Sequence, residues 1–210
     1  MKFYHFKNNL KKLSTIPLGG REAQYKLAPK IRLRYKEENI QAQNPKKAAV
    51  LALFYPNERG ETCFLLTLRA SYKGTHSAQI SFPGGRFETG DYNLKNTALR
   101  ETFEEVGVDK GKVGIIKQFS NVYIPPSNFL ATPFMGYLDH MPSFTVNHEV
   151  ALTMNVLVSD LLSDLNLSTT NLSTSYSKNI EVPCFLLNDY VVWGATAMML
   201  GEIRDLLLKL

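Results

Sequence analysis

Cysteine, tryptophan and histidine are scarce: the 210 residues hold two cysteines, one tryptophan and four histidines. Cys63 and Cys184 stand far apart in the chain, which argues against a disulfide framework. His76 has no second histidine or cysteine at zinc-ligand spacing, so it reads as a loop residue with no metal to hold. No run is long and apolar enough to span a bilayer, and residues 1–14 lack the hydrophobic stretch of a secretory signal. The expectation is a cytoplasmic protein with no transmembrane segment. There, Asn166-Leu167-Ser168 and Asn171-Leu172-Ser173 read as chance glycosylation sequons in a polar loop. Acidic residues are missing from residues 2–21, although the net charge is only +5. Basic residues without a recognisable binding module support only nonspecific attraction, so no specific nucleic-acid partner is expected. Within that stretch Phe3, Phe6, Leu10 and Leu13 recur on one helical face, with Lys7, Lys11 and Lys12 around them. Such a face predicts packing onto the chain's own domain before it predicts a membrane surface.

What the chain does contain is a carboxylate cluster. Residues 94–106 hold no glycine or proline, and Leu99, Phe103 and Val106 recur at the spacing of a buried stripe. Gly107 supplies the stop. Glu101, Glu104 and Glu105 then share the opposite face. Like charges so placed cost an isolated helix roughly 0.2–0.5 kcal/mol per pair. A hard divalent cation offsets that cost, since magnesium takes carboxylate oxygens together with water and substrate phosphate. A solvated acidic face is the bland alternative, and Arg100, four residues before Glu104, is consistent with it.

The preceding segment favours the cation. Residues 81–91 run from a strand end through Gly84, Gly85 and Gly90 to the helix entrance, with Glu88 and Asp91 adding carboxylates. Glycines let backbone approach a ligand closely, and successive backbone N–H groups can cradle an anion. A phosphate-contacting loop leading into a metal-binding helix face is a device for hydrolysing a diphosphate.

At 44% hydrophobic content the chain can bury one good core. Residues 1–13 and 21–28 read as helices and residues 36–47 as a polar connection. Residues 48–55, 63–69, 79–82, 113–119, 131–138 and 150–158 read as strands, with a helix starting near Ser159. Residues 190–193 close the sheet as core, Trp193 included, and residues 195–210 form a last helix. Strands interrupted by single helices suggest a mixed sheet covered on both faces.

The residues Gly85, Asp91 and Arg100-Glu101-Thr102-Phe103-Glu104-Glu105-Val106-Gly107-Val108 resemble the signature of the Nudix hydrolases. Asp91 stands where that signature has glutamate, eight residues rather than seven separate it from Arg100, and Thr102 takes an apolar position. Leu65-Leu66-Thr67-Leu68-Arg69-Ala70, Phe82-Pro83-Gly84-Gly85 and Trp193-Gly194-Ala195-Thr196-Ala197 are similar to motifs of the coenzyme A pyrophosphatase branch. Gly74 and Ala78 depart from it, where arginine and glycine are expected.

The resemblance implies an α/β/α sandwich with a mixed sheet over residues 45–210, preceded by a helical or extended appendage at residues 1–44. It implies Mg2+ or Mn2+ on Glu101 and Glu105, with Glu104 as a third ligand or as the base, and Arg100 holding a carboxylate in place. Glu149 is a further catalytic candidate. Arg69, Lys73, Gly84, Gly85 and Arg86 are the expected substrate contacts. The implied substrate is coenzyme A or an acyl derivative, cleaved to 3',5'-ADP and 4'-phosphopantetheine. A different nucleotide diphosphate and a noncatalytic nucleotide-binding module are the alternatives, and a homodimer is one admissible assembly.

Overall fold

We describe the protein from a computed structural model, which covers residues 1–70, 79–174 and 177–210. Three short helices open the chain: α1 (Phe3–Asn8), α2 (Leu10–Thr15) and α3 (Gly20–Tyr25). After a 3-10 turn at Lys30–Arg34 comes α4 (Glu37–Ala42), so part of the stretch read as a plain connection is helical. The strands β1 (Lys46–Pro56), β2 (Thr62–Arg69), β3 (Ile80–Ser81) and β4 (Gly84–Arg86) lead into α5 (Leu94–Val106). Next come β5 (Gly114–Gln118), β6 (Val122–Ile124), β7 (Phe129–Tyr137), β8 (Val150–Leu157) and α6 (Val158–Leu162). The chain ends with β9 (Leu167–Thr174), β10 (Ser177–Leu187), β11 (Tyr190–Trp193) and α7 (Gly194–Leu207).

Among the described residues, β1 to β8 form one mixed sheet in which β1 pairs in parallel with β7 and antiparallel with β2 and β4. Its central strand is buried on both faces, as a near-continuous apolar run requires. Ala49, Leu51, Leu53 and Tyr55 of β1 join Ala98 and Val106 of α5 in one core. Ala48, Ala52 and Phe54 join α1, α2 and α7 in the other, where the Phe6 and Phe54 rings stack at 5.1 Å. Helices thus cover both faces of a mixed sheet, giving the α/β/α sandwich expected. Phe3, Phe6 and Leu13 are buried in the second core; the apolar face of the basic N-terminal segment is spent on the chain itself.

The stretch with two sequons is not a loop. β9 pairs with β10, and β10 with β11, in a second antiparallel sheet. Its threonines are β-branched and favour a strand once a partner lies alongside, and sequence alone does not reveal that partner.

The buried stripe of α5 also differs from the one expected. Thr97, Ala98, Thr102, Glu105 and Val106 are buried, Leu94 and Leu99 only pack at the edge, and Phe103 is 53% exposed. The helix is rotated so that small residues meet the sheet and Glu105 turns inward. Thr102 fits its apolar surroundings because its hydroxyl donates to the Ala98 carbonyl at 2.7 Å. The ends follow the sequence: the Asn93 side chain caps the Asn96 N–H at 3.0 Å, and Gly107 closes the helix at a φ of 75°.

A second buried carboxylate holds the layers together. Glu202 of α7 accepts from Gly20 N–H (3.0 Å), Gln24 Nε2 (2.9 Å) and the Ser120 hydroxyl (2.7 Å). It ties α3 and the β5–β6 connection to α7.

Candidate active site

The glycine segment is strand rather than open loop. Gly84, Gly85 and Arg86 pair with Val50, Ala49 and Ala48, so this backbone is committed largely to the sheet, and its glycines serve another purpose. Gly84 has a φ of 151°, and a Cβ there would run into the Ala49 carbonyl and Val50. At Gly85 a Cβ would come within 2.5 Å of the Glu101 carboxyl carbon. The missing side chain at Gly85 is what lets α5 bring Glu101 up to the sheet.

One cleft of about 410 Å³ is lined by Arg69, Gly84, Gly85, Arg86, Glu101, Glu105 and Glu149. Seven of the expected site residues therefore come together there, from β2, β4, α5 and the residue before β8. Glu104 and Arg100 are not in its lining, and Lys73 lies outside the described residues, as do Gly74, His76 and Ala78.

Glu105 is the most constrained member. It is 3% exposed, and its Oε2 has no hydrogen-bond partner. Burial pushes its carboxyl up to about 7, with Glu101 and Glu149 adding to the rise and Arg69 and the Gly84 N–H opposing it. Burial raises Glu101 as well, against the pull of Arg100. Arg69 stands 3.7 Å from Glu105 and 3.4 Å from Glu149. The first separation is too long for a hydrogen bond, and the Arg69 Nε is itself buried without a partner. Arg69 thus offsets the negative charge of the cleft without saturating it.

Arg100 works beside the cleft, outside its lining. Its guanidinium forks onto Asp91, Nε to Oδ1 at 2.8 Å and Nη2 to Oδ2 at 2.9 Å, and also reaches Glu101 at 3.0 Å and Glu104 at 2.9 Å. Asp91 is buried and further takes the Thr97 hydroxyl at 2.9 Å and the Glu88 N–H at 3.0 Å. Chiefly through the Arg100 hydrogen bonds, its carboxyl falls to about 2. Asp91 therefore anchors the helix entrance, and the shorter side chain at this position is matched by the Arg100 fork. Glu104, half exposed, completes that cluster rather than the cleft.

Trp193 and Arg32 are among the cleft residues not foreseen as such. Trp193, expected in the core, lines the cleft while its neighbour Val192 is buried; the alternation of β11 separates them. Arg32 reaches the cleft from the N-terminal segment, and nothing in its local sequence signals that.

The donor chemistry fits a divalent cation. Among the described residues no three histidine, cysteine, aspartate or glutamate side chains are already gathered around one point. Yet Glu101 and Glu105 offer hard oxygens to one cleft, and Glu105 Oε2 is a buried acceptor with nothing to accept from. Such an atom costs about 1–3 kcal/mol, more if charged, unless a cation or donor meets it.

An α/β/α sandwich with carboxylates of one helix set against a glycine strand is the class of protein that the signature residues imply. The family model described as NUDIX domain matches residues 45–155, and the chain belongs to the Nudix hydrolase family. It is 32% identical over 163 residues to Nudix hydrolase 22, chloroplastic, of Arabidopsis thaliana, covering 74% of this chain and 53% of that relative's length. It is 33% identical over 156 residues to a mitochondrial coenzyme A diphosphatase of Mus musculus, covering 72% of each. A Nudix hydrolase from M. smegmatis shares the fold, with a TM-score of 0.55 at 17% identity over 79% of this chain and 88% of that one.

Proposed function

We propose that the chain hydrolyses the phosphoanhydride of a nucleoside diphosphate joined to a second moiety, with coenzyme A or an acyl derivative as substrate. The observation that carries the chemistry is Glu105: buried, unpartnered at Oε2, and facing a cleft with Glu101, Glu149 and Arg69. The choice of coenzyme A is supported by the similarity to the mouse diphosphatase.

Glu101 and Glu105 hold Mg2+ or Mn2+ in this reading. A bound divalent ion supplies charge neutralisation for the diphosphate and lowers the pKa of water. Gly85 leaves room for Glu101, and the Gly84 N–H with Arg69 steadies Glu105. Arg69 and Arg86 contact phosphate oxygens, for which the guanidinium fork is suited. Glu149, half exposed at the cleft and 3.4 Å from Arg69, accepts the proton from the attacking water. Glu104 and Asp91 fix Arg100, and Arg100 in turn positions Glu101.

The test is phosphate-product release from a panel of coenzyme A, acyl-coenzyme A, ADP-ribose, a dinucleoside polyphosphate and NADH, each with magnesium, manganese or chelator. Metal-dependent formation of 3',5'-ADP and 4'-phosphopantetheine is the expected result. Cleavage of another member with coenzyme A untouched replaces the substrate. Tight nucleotide binding without turnover of any member replaces the enzyme with a binding module. In Glu149→Gln the rate should fall about 100-fold or more, and a wild-type rate removes Glu149 from this role.

A further inference from the structure

Arg32 stands outside the residues matched by the family model, yet it lines the cleft that holds Glu101, Glu105 and Glu149. It also lines an adjoining cavity of about 390 Å³ between the N-terminal segment and the sheet. Among the described residues it is the one common to the two linings, so the spaces meet at its side chain. The guanidinium donates to the Tyr123 carbonyl. The segment that follows it is fastened twice: the Tyr35 and Tyr123 rings meet edge to face at 5.5 Å, and the Asn128 amide donates to the Gln43 carbonyl at 3.0 Å. Arg32 is thus a cation placed at a fixed point by residues of β6 and the turn after it.

The adjoining cavity has its own chemistry. Tyr25, Tyr35 and Tyr123 give it aromatic surface, Leu130 and Met198 add apolar contact, and Asn121 and Gln41 give it amide groups, while the Ser120 hydroxyl donates to Glu202. Arg21 lines it too, 3.7 Å from Glu37, which offsets its charge. A heteroaromatic base gains both ring contact and edge hydrogen bonds, and a phosphate gains the Arg32 fork at the entrance.

We propose that Arg32 and the cavity behind it bind the nucleoside end of the substrate, the guanidinium taking a phosphomonoester on the ribose and the tyrosine-lined space taking the base. This rests on the nucleoside diphosphate reading above. It makes the N-terminal segment part of the substrate site and selects for a substrate with a third phosphate remote from the bond that breaks.

The experiment compares coenzyme A with dephospho-coenzyme A, which lacks that phosphate, in kcat/KM, and 3',5'-ADP with 5'-AMP in calorimetric binding. Wild type should favour the phosphorylated member of each pair. Arg32→Ala should cut that preference about tenfold or more, as loss of a charge-assisted contact predicts, and Arg32→Lys should keep part of it. Tyr35→Leu should weaken both nucleotides alike and leave the preference standing; unaltered binding of both would remove the base from the cavity. Thermal unfolding of each variant separates loss of contact from loss of fold. A wild type indifferent to the ribose phosphate overturns the proposal, as does an Arg32→Ala preference equal to wild type or an equal loss on both members of a pair. If neither coenzyme is hydrolysed, the substrate reading fails and the nucleotide pair alone decides the subsite.

Discussion

Glu105 combines a cost to stability with a proposed role in metal binding. Its carboxyl titrates at about 7 in the folded, metal-free protein, against about 4.3 when unfolded. A group raised in this way favours folding below the unfolded value and loses that contribution as pH rises through the folded value. Glu105→Gln, which mimics the neutral acid, should therefore melt higher than wild type without metal at pH 8. Each kcal/mol recovered is worth roughly 2–4 °C at this chain length. The same variant should lose the melting increase produced by magnesium or manganese, together with about 100-fold or more of the turnover. A variant that melts lower, or is still stabilised by the ions, would contradict the placement of Glu105. Gly85→Ala is a subtler probe. The atoms nearest its Cβ are the end of the Glu101 side chain, so melting should change little while affinity for the ion falls about tenfold. Metal titration followed by scanning fluorimetry reads both.

At the scale of elements, α5 is fixed by its entrance as much as by its packing. The Asp91–Arg100 fork joins the residues before the helix to its middle, and the Asp91 carboxyl falls to about 2. A depressed carboxyl stabilises the fold above its unfolded value near 3.9 and ceases to do so as pH falls toward the folded one. The shift corresponds to about 2 kcal/mol. Asp91→Asn should be less stable than wild type at pH 6 by that order, and the two should converge by about pH 2. Urea unfolding followed by circular dichroism tests this, and a pH-independent gap would show that the fork contributes through shape and not charge. The position and ends of α5 were legible in the sequence, because helical propensity, the Asn93 cap and the Gly107 stop are local. Its rotation was not. Phe103 and Leu99 look like the apolar face, yet the sheet accepts the smaller face of Ala98 and Thr102, because the close approach of α5 to β4 at Gly85 leaves no room for a ring.

At the scale of the whole molecule, the N-terminal helices share one core with the sheet and α7. Phe6 is fully buried against Phe54. Phe6→Ala should cost about 3–5 kcal/mol and lower the single melting transition of the entire chain, as calorimetry would show. A separate early transition with the main one unmoved would instead make residues 1–44 an independent unit. The proposed nucleoside subsite depends on this same union, since Arg32 reaches the cleft only while its segment is docked on β6 and the turn after it.

The sequence by itself determined the family, the central strands, the acidic helix and the glycine segment ahead of it, though not that this segment is a strand. The family follows from resemblance to its signature motifs, and the rest from local periodicity and spacing. Only the tertiary structure decided which carboxylates share the cleft. It sets Glu149 beside Arg69 and Glu105 through the register of β2 with β8, turns Glu104 away to Arg100, and brings Arg32 in from beyond the matched domain. It also made a strand of the sequon-bearing stretch. The physical reason is the same in each case: helical phase, strand register and docking are settled by which surfaces close against one another. Residues distant in the chain contribute to that closure on equal terms with neighbours.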